Sequence, residues 1–137
     1  TIANTGALLY NRKLGGKLTV EKDFGEVDMD DNATLAEMLD HALPKCKEGG
    51  TDVKYFLMYA GPGAGLVGFG DDDDKGATPG PERMQNRVAA RTITAAFQRH
   101  GVQLDMLGFD ACLMSSVSAL QEFHGSATYM LASPWTE

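Results

Sequence analysis

Cysteine, histidine and tryptophan are scarce in this chain: its 137 residues include two, three and one of them. Cys46 and Cys112 could pair, but two cysteines do not make a disulfide scaffold, and neither stands in a Cys-x-x-Cys or Cys/His metal spacing. There is no run of 18 apolar residues and no charged-then-apolar leader, so neither a membrane span nor an attached secretion signal is predicted. Basic residues are also in deficit, 12 against 19 acidic ones, which leaves a formal net charge of -7. That balance argues against nucleic acid or an anionic membrane as partner, because binding phosphates needs Lys and Arg gathered on one face. A cationic substrate suits it better. What is present, 43% hydrophobic and 23% charged residues, is the profile of one soluble globular domain with chain enough for a core. The opening residue is Thr1 rather than Met, which fits a processed or trimmed segment.

Along the chain, strand-like and helix-like patterns alternate. Short apolar runs at 7–10 and 17–21 flank a Gly15-Gly16 turn signal and predict a hairpin. Asp28, Asp30, Asp31 and Asn32 precede Leu35, Met38, Leu39, Ala42 and Leu43 in helical spacing, with Asp31 or Asn32 as N-cap and Pro44 as the expected end or kink. Residues 53–60 form an apolar, aromatic-rich run that suits a central strand buried on both faces. A Gly- and Asp-rich loop over 61–81 follows, then a helical pattern from Glu82 to Arg99 and strands at 104–110 and 127–133. This alternation predicts an α/β domain with a largely parallel sheet, whose sites gather at the carboxyl ends of the strands. Residues 60–65 and 110–112 lie at such ends.

The stretch Leu104 to Met114 is the chemically suggestive one. After Cys112, apolar Leu113, Val117, Leu120 and Phe123 recur in a helical rhythm, so the thiol is expected where a strand hands over to a helix. A helix dipole and unpaired N–H groups there would favour thiolate over thiol. Against this stands the alternative that a lone cysteine in apolar surroundings is an inert core residue.

The loop over 61–81 carries three patterns. Gly63-x-Gly65-x-x-Gly68 matches the letters of a dinucleotide fingerprint, but a helix must start there to hold the pyrophosphate, and Phe69, Gly70 and four aspartates follow instead. Asp71 to Asp74 could chelate calcium, although no EF-hand spacing is present and a solvated acidic loop explains them more simply. With Lys75-Gly76 the same run spells the enterokinase recognition sequence, and a basic residue among small ones in an exposed loop is open to proteolytic nicking.

Taken together, Gly25-Glu26-Val27-Asp28-Met29, the run Gly68-Phe69-Gly70-Asp71-Asp72, Leu107-Gly108-Phe109-Asp110-Ala111-Cys112-Leu113-Met114 and the closing Tyr129-x-Leu131-Ala132-Ser133 resemble the clostripain-like cysteine peptidases in order and spacing. The resemblance covers most of the chain as one domain over 1–137. It implies a caspase-like three-layer α/β/α sandwich with a mostly parallel central sheet, a Cys-His dyad, cleavage after Arg or Lys, and activation by a cut in the loop after the histidine strand. It further implies Cys112 as nucleophile, Asp110 as the carboxylate that receives the basic side chain, Lys75 as the processing point, and the N–H groups of Gly61 and Cys112 as oxyanion donors.

This chain departs from that family in one decisive place. The family has an Asn-His-Gly type turn after the central strand, and here the residues are Tyr59-Ala60-Gly61, so Ala60 occupies the general-base position. Pro62, Ala64, Ser118 and Pro134-Trp135 differ from the family pattern as well, and the first strand and helix of the fold are missing, as in an interior portion of a larger domain. His41, His100 and His124 are not placed to substitute. The expectation is therefore a clostripain-like endopeptidase domain with impaired catalysis, acting on Arg- or Lys-containing peptides, without a cofactor unless the acidic loop takes calcium. The rival expectations are a non-catalytic module that binds basic peptides and, more remotely, a nucleotide-binding α/β domain.

Overall fold

A computed structural model describes residues 6–12, 15–72 and 83–136. The first two strands, β1 (Ala7–Asn11) and β2 (Thr19–Gly25), pair antiparallel with Tyr10 opposite Val20, as the Gly-Gly turn signal predicts. They form a ribbon separate from the main sheet. It lies along α1 (Asn32–Lys47), held by Lys22–Glu37 and Lys45–Glu21 ion pairs and by Phe24 set edge-on to His41.

Asp31 caps α1, its side chain accepting the Ala33 N–H at 3.2 Å. The expected break at Pro44 does not occur: the helix continues to Lys47. Proline removes one hydrogen bond to the preceding turn, but tertiary contacts hold the helix on both sides of it. Leu39 and Leu43 are buried, Asp40 is bonded to Arg99 and His100, and Lys47 Nζ donates to the His100 carbonyl at 2.8 Å.

The main sheet contains β3 (Phe56–Ala60), β4 (Met106–Asp110) and β5 (Tyr129–Ala132) in that spatial order, all parallel. Helix α2 (Asn86–Arg99) connects β3 to β4, and the short α3 (Val117–Glu122) connects β4 to β5. The result is the mixed α/β class expected, compatible with part of a caspase-like fold. Helix α2 starts later than the sequence pattern suggests because Met84 and Phe69 exchange backbone hydrogen bonds of 2.9 and 3.1 Å, which keeps the chain extended up to Gln85.

Packing differs between the two faces of the sheet. Leu57, Tyr59, Leu107, Phe109, Met130 and Ala132 point towards the helices and join a core with Leu39, Leu43, Ile93, Phe97 and Ala119. Each fully buried Leu, Ile or Phe side chain contributes roughly 1.5–3 kcal/mol. On the opposite face Phe56, Met58, Tyr129 and Leu131 are exposed. Of the three layers expected, the described residues supply the sheet and one helical layer. The expectation that residues 53–60 are buried on both faces is thus corrected: β3 is an edge strand of this sheet and alternates between exposed and half-buried residues. Its apolar run is continuous in sequence, but only every second side chain reaches the core.

Candidate active site

Strand β4 ends at Asp110, and six residues of turn separate it from α3 at Val117. Cys112 therefore lies within a turn and not at a helix N-terminus, which corrects the expectation from its apolar rhythm. A helix dipole acts over about one turn, and α3 has only six residues.

The turn is shaped by other means. Ala111 and Met114 are buried anchors on either side of the half-buried Cys112. Leu113 has φ 62°, the sole positive φ at a described non-glycine residue, a conformation that costs roughly 1–2 kcal/mol. Three hydrogen bonds maintain it: Leu113 N–H to the Trp135 carbonyl at 3.2 Å, Ser115 N–H to the Ser133 carbonyl at 3.0 Å, and Ser116 N–H to the Leu113 carbonyl at 3.1 Å. The segment after β5 thus braces the cysteine turn from one side.

The segment after β3 braces it from the other. Ala60 stands opposite Asp110 in the sheet register, and the Gly61 N–H donates to the Asp110 carbonyl at 3.1 Å. Gly63 then passes so close to the cysteine turn that a Cβ added to it would strike the Cys112 carbonyl oxygen and lie 2.8 Å from the Cys112 nitrogen. Beyond it, a 3-10 turn over Gly65–Val67 is fixed by Asn86, whose Nδ2 donates to the Gly65 carbonyl at 2.7 Å. A cluster of edge-on and tilted aromatic rings, Tyr59–Phe69 at 4.6 Å, Phe69–Phe109 at 5.1 Å and Phe109–Phe123 at 5.0 Å, ties this loop to β4 and to the end of α3.

Ala60, Gly61, Asp110 and Cys112 are accordingly assembled along one edge of the sheet. Asp110 is exposed, and its carboxylate has no ion pair among the described residues. The Gly61 N–H is engaged in the last rung between β3 and β4. Lys75 lies outside the described residues, as do Asp73 and Asp74 of the acidic run. Among the described residues no group of three or more His, Cys, Asp or Glu side chains converges to hold a metal ion. The start of the acidic run is tied down by hydrogen bonds instead: Asp72 N–H donates to Asp30 and Met29 N–H to Asp72, both at 2.9 Å.

Each histidine is placed elsewhere. His41 is paired with Glu37 on α1, and His100 bonds Asp40 at 2.9 Å beyond the end of α2. His124 is exposed just after α3, where the chain turns back towards the start of β5. His100 and His124 thus sit at the amino-terminal end of the strands, across the domain from the Cys112 turn. The glycine run does not begin a helix, since it forms a 3-10 turn and a bridge from Phe69 to Met84 before α2 starts at Asn86. A dinucleotide or P-loop cradle would need that helix N-terminus.

A cleft of about 740 Å³ opens beside Ala60 and Gly61, between α1 and the loop after β3, with Leu35, Met38, Tyr59 and Asp30 in its walls. Burial, reinforced by the Asp30 carboxylate, pushes the Tyr59 phenol above its ordinary value.

The sequence of the Clostripain family matches this chain over residues 15–137. The chain belongs to the clostripain family. No curated protein and no solved structure matches it. Membership supports a cysteine-peptidase-like function for the domain. No helix among the described residues is long and apolar enough to cross a membrane.

Sequence reasoning passed over three residues that build this clostripain-family edge. In the sequence Gly63 is only one letter of a glycine motif. Asn86 carries no local signal, because an asparagine at a helix start looks like ordinary surface polarity. Trp135 is a departure from the family pattern in sequence, and its backbone contact with the cysteine turn is a tertiary fact.

Proposed function

We propose that this domain is a cysteine endopeptidase module directed at peptide bonds that follow Arg or Lys, and that its catalysis is impaired. In this reading the Cys112 thiolate attacks the scissile carbonyl, a C–S bond forms, and the carbonyl oxygen becomes an oxyanion. The C–N bond then breaks and the amine leaves with a proton, after which water hydrolyses the thioester. Asp110 would receive the guanidinium or ammonium group through charge-assisted hydrogen bonds. The partner is a peptide or protein segment carrying Arg or Lys, with no role for nucleic acid or a membrane. This chemistry calls for no cofactor, and Lys75 is the proposed processing point of the acidic loop.

The observation that supports the proposal is the packing of Gly63 against the Cys112 backbone, at the strand ends where Ala60 stands opposite Asp110. Impairment follows from two features of that same edge. Ala60 offers no imidazole to take the thiol proton and return it to the leaving amine, a loss of about 10²–10⁴-fold. To serve an oxyanion, the Gly61 N–H must leave the Asp110 carbonyl, forgoing a hydrogen bond of about 1 kcal/mol. These two features also favour a second reading, in which the edge grips a basic peptide without cutting it.

One set of measurements separates them. The wild-type chain, Cys112→Ala and Ala60→His are incubated with an Arg-containing fluorogenic peptide. Slow hydrolysis that is lost in Cys112→Ala and rises about 10²-fold or more in Ala60→His supports an impaired peptidase. Saturable binding with no hydrolysis in any of the three supports the binding module, and wild-type turnover that Ala60→His leaves unchanged refutes the role given to Ala60.

A further inference from the structure

Several large apolar residues around the cysteine turn are exposed. Leu66 and Val67 on the 3-10 turn, Leu113 next to the thiol, Val117 at the start of α3, and Trp135 after β5 are between 40% and 81% exposed. All five belong to segments that meet at this turn. A Cβ added to Gly65 would lie within 3.2–3.4 Å of Leu113 and Ser116, Leu113 N–H donates to the Trp135 carbonyl at 3.2 Å, and Val117 directly follows the capping Ser116. Single exposed apolar residues are ordinary, whereas several grouped on one rim mark a surface used for binding.

We propose that Leu66, Val67, Leu113, Val117 and Trp135 form an apolar rim that binds the residues flanking the basic one in a peptide, so that the chain selects Arg or Lys set between bulky aliphatic side chains. The inference rests on the peptidase or basic-peptide reading above for the central residue and adds the flanking specificity. Charge identifies the occupant as such a peptide and not as a second copy of this chain: the exposed Asp110 carboxylate lies two residues before Cys112, and the chain carries a net charge of -7, so a cationic segment is attracted where an acidic copy is repelled. The apolar side chains would then lie on Trp135 and Leu113 while the cation faces Asp110. An indole offers a large, rigid contact area at low entropic cost, and burying one or two leucines is worth at least about tenfold in affinity.

The test uses the full chain carrying Cys112→Ala, so that nothing is cleaved, and the fluorescence of its single tryptophan. Three capped peptides of equal length are titrated: Arg between leucines, Arg between serines, and Gln between leucines. The rim predicts that the leucine-flanked Arg peptide binds about tenfold or more tightly than the serine-flanked one and shifts the Trp135 emission to shorter wavelength. In Trp135→Ser combined with Leu113→Ser, followed by anisotropy of the labelled peptides, the preference falls to within about threefold while the urea midpoint holds. Equal affinity of the two Arg peptides, or an unmoved emission on binding, overturns the rim. Equal binding of the Gln and Arg peptides flanked by leucines upholds the rim and overturns the role of Asp110, so the two readings fail separately.

Discussion

Gly63 shows how a residue with no functional group can determine a site. Its Cα passes the Cys112 backbone at a separation that excludes even a methyl group, so alanine there must push the cysteine turn outward. Gly63→Ala is expected to lower stability by about 1–3 kcal/mol, the usual cost of overpacking, in urea denaturation. It is also expected to change the rate of Cys112 alkylation by iodoacetamide, because the thiol moves with its backbone. Leu113 makes the complementary point: a left-handed leucine persists because Trp135 and Ser133 hold the turn from outside. Neither constraint has a local sequence signature, since both are set by segments distant in the chain.

At the scale of elements, the strands predict a sharp contrast between their two sides. Leu107 is buried beneath the helices and Leu131 is exposed on the other face. Leu107→Ala is expected to cost about 2–5 kcal/mol, and Leu131→Ser to stay within about 0.5 kcal/mol, each read from the urea midpoint. Helix α1 supplies a pH-dependent contribution. The Arg99 guanidinium, bonded to Asp40 at 2.9 and 3.0 Å, together with His100, holds the Asp40 carboxyl below its ordinary value against the opposing effect of burial. A depressed carboxyl stabilises the fold above its unfolded-state value of about 3.9, and that contribution disappears as the pH falls through the folded-state value. Asp40→Asn should therefore be less stable than wild type at neutral pH, by no more than roughly 1 kcal/mol given its exposure to solvent. The difference should shrink in urea titrations as the pH falls below the unfolded-state value and through the lower folded-state one.

For the whole molecule, an acidic chain that binds cationic peptides should respond to salt. Raising the ionic strength from about 0.05 to 0.5 M shortens the screening length to a few ångströms, so affinity for the Arg peptide should drop severalfold. Binding of the leucine-flanked Gln peptide should hold or strengthen, because apolar contacts are not screened. Isothermal titration at the two salt concentrations checks this, and equal losses for both peptides would count against the charge argument.

Much of this molecule was legible in one dimension. Alternating strand and helix patterns determine the α/β class, the Asp31 cap determines where α1 begins, and the Gly-Phe-Asp-Ala-Cys run marks the clostripain family and the edge where Cys112 lies. These are local: they depend on periodicity, on capping chemistry, and on residues adjacent in the chain. The tertiary structure alone decided that α1 continues through Pro44, that Cys112 occupies a braced turn instead of a helix start, that Phe56, Met58, Tyr129 and Leu131 are exposed on one face of the sheet, and that the Trp135 carbonyl braces the cysteine turn. Each of these outcomes depends on contacts between distant segments, whose packing outweighs local preferences of a kcal/mol or two, and no window on the sequence contains both partners.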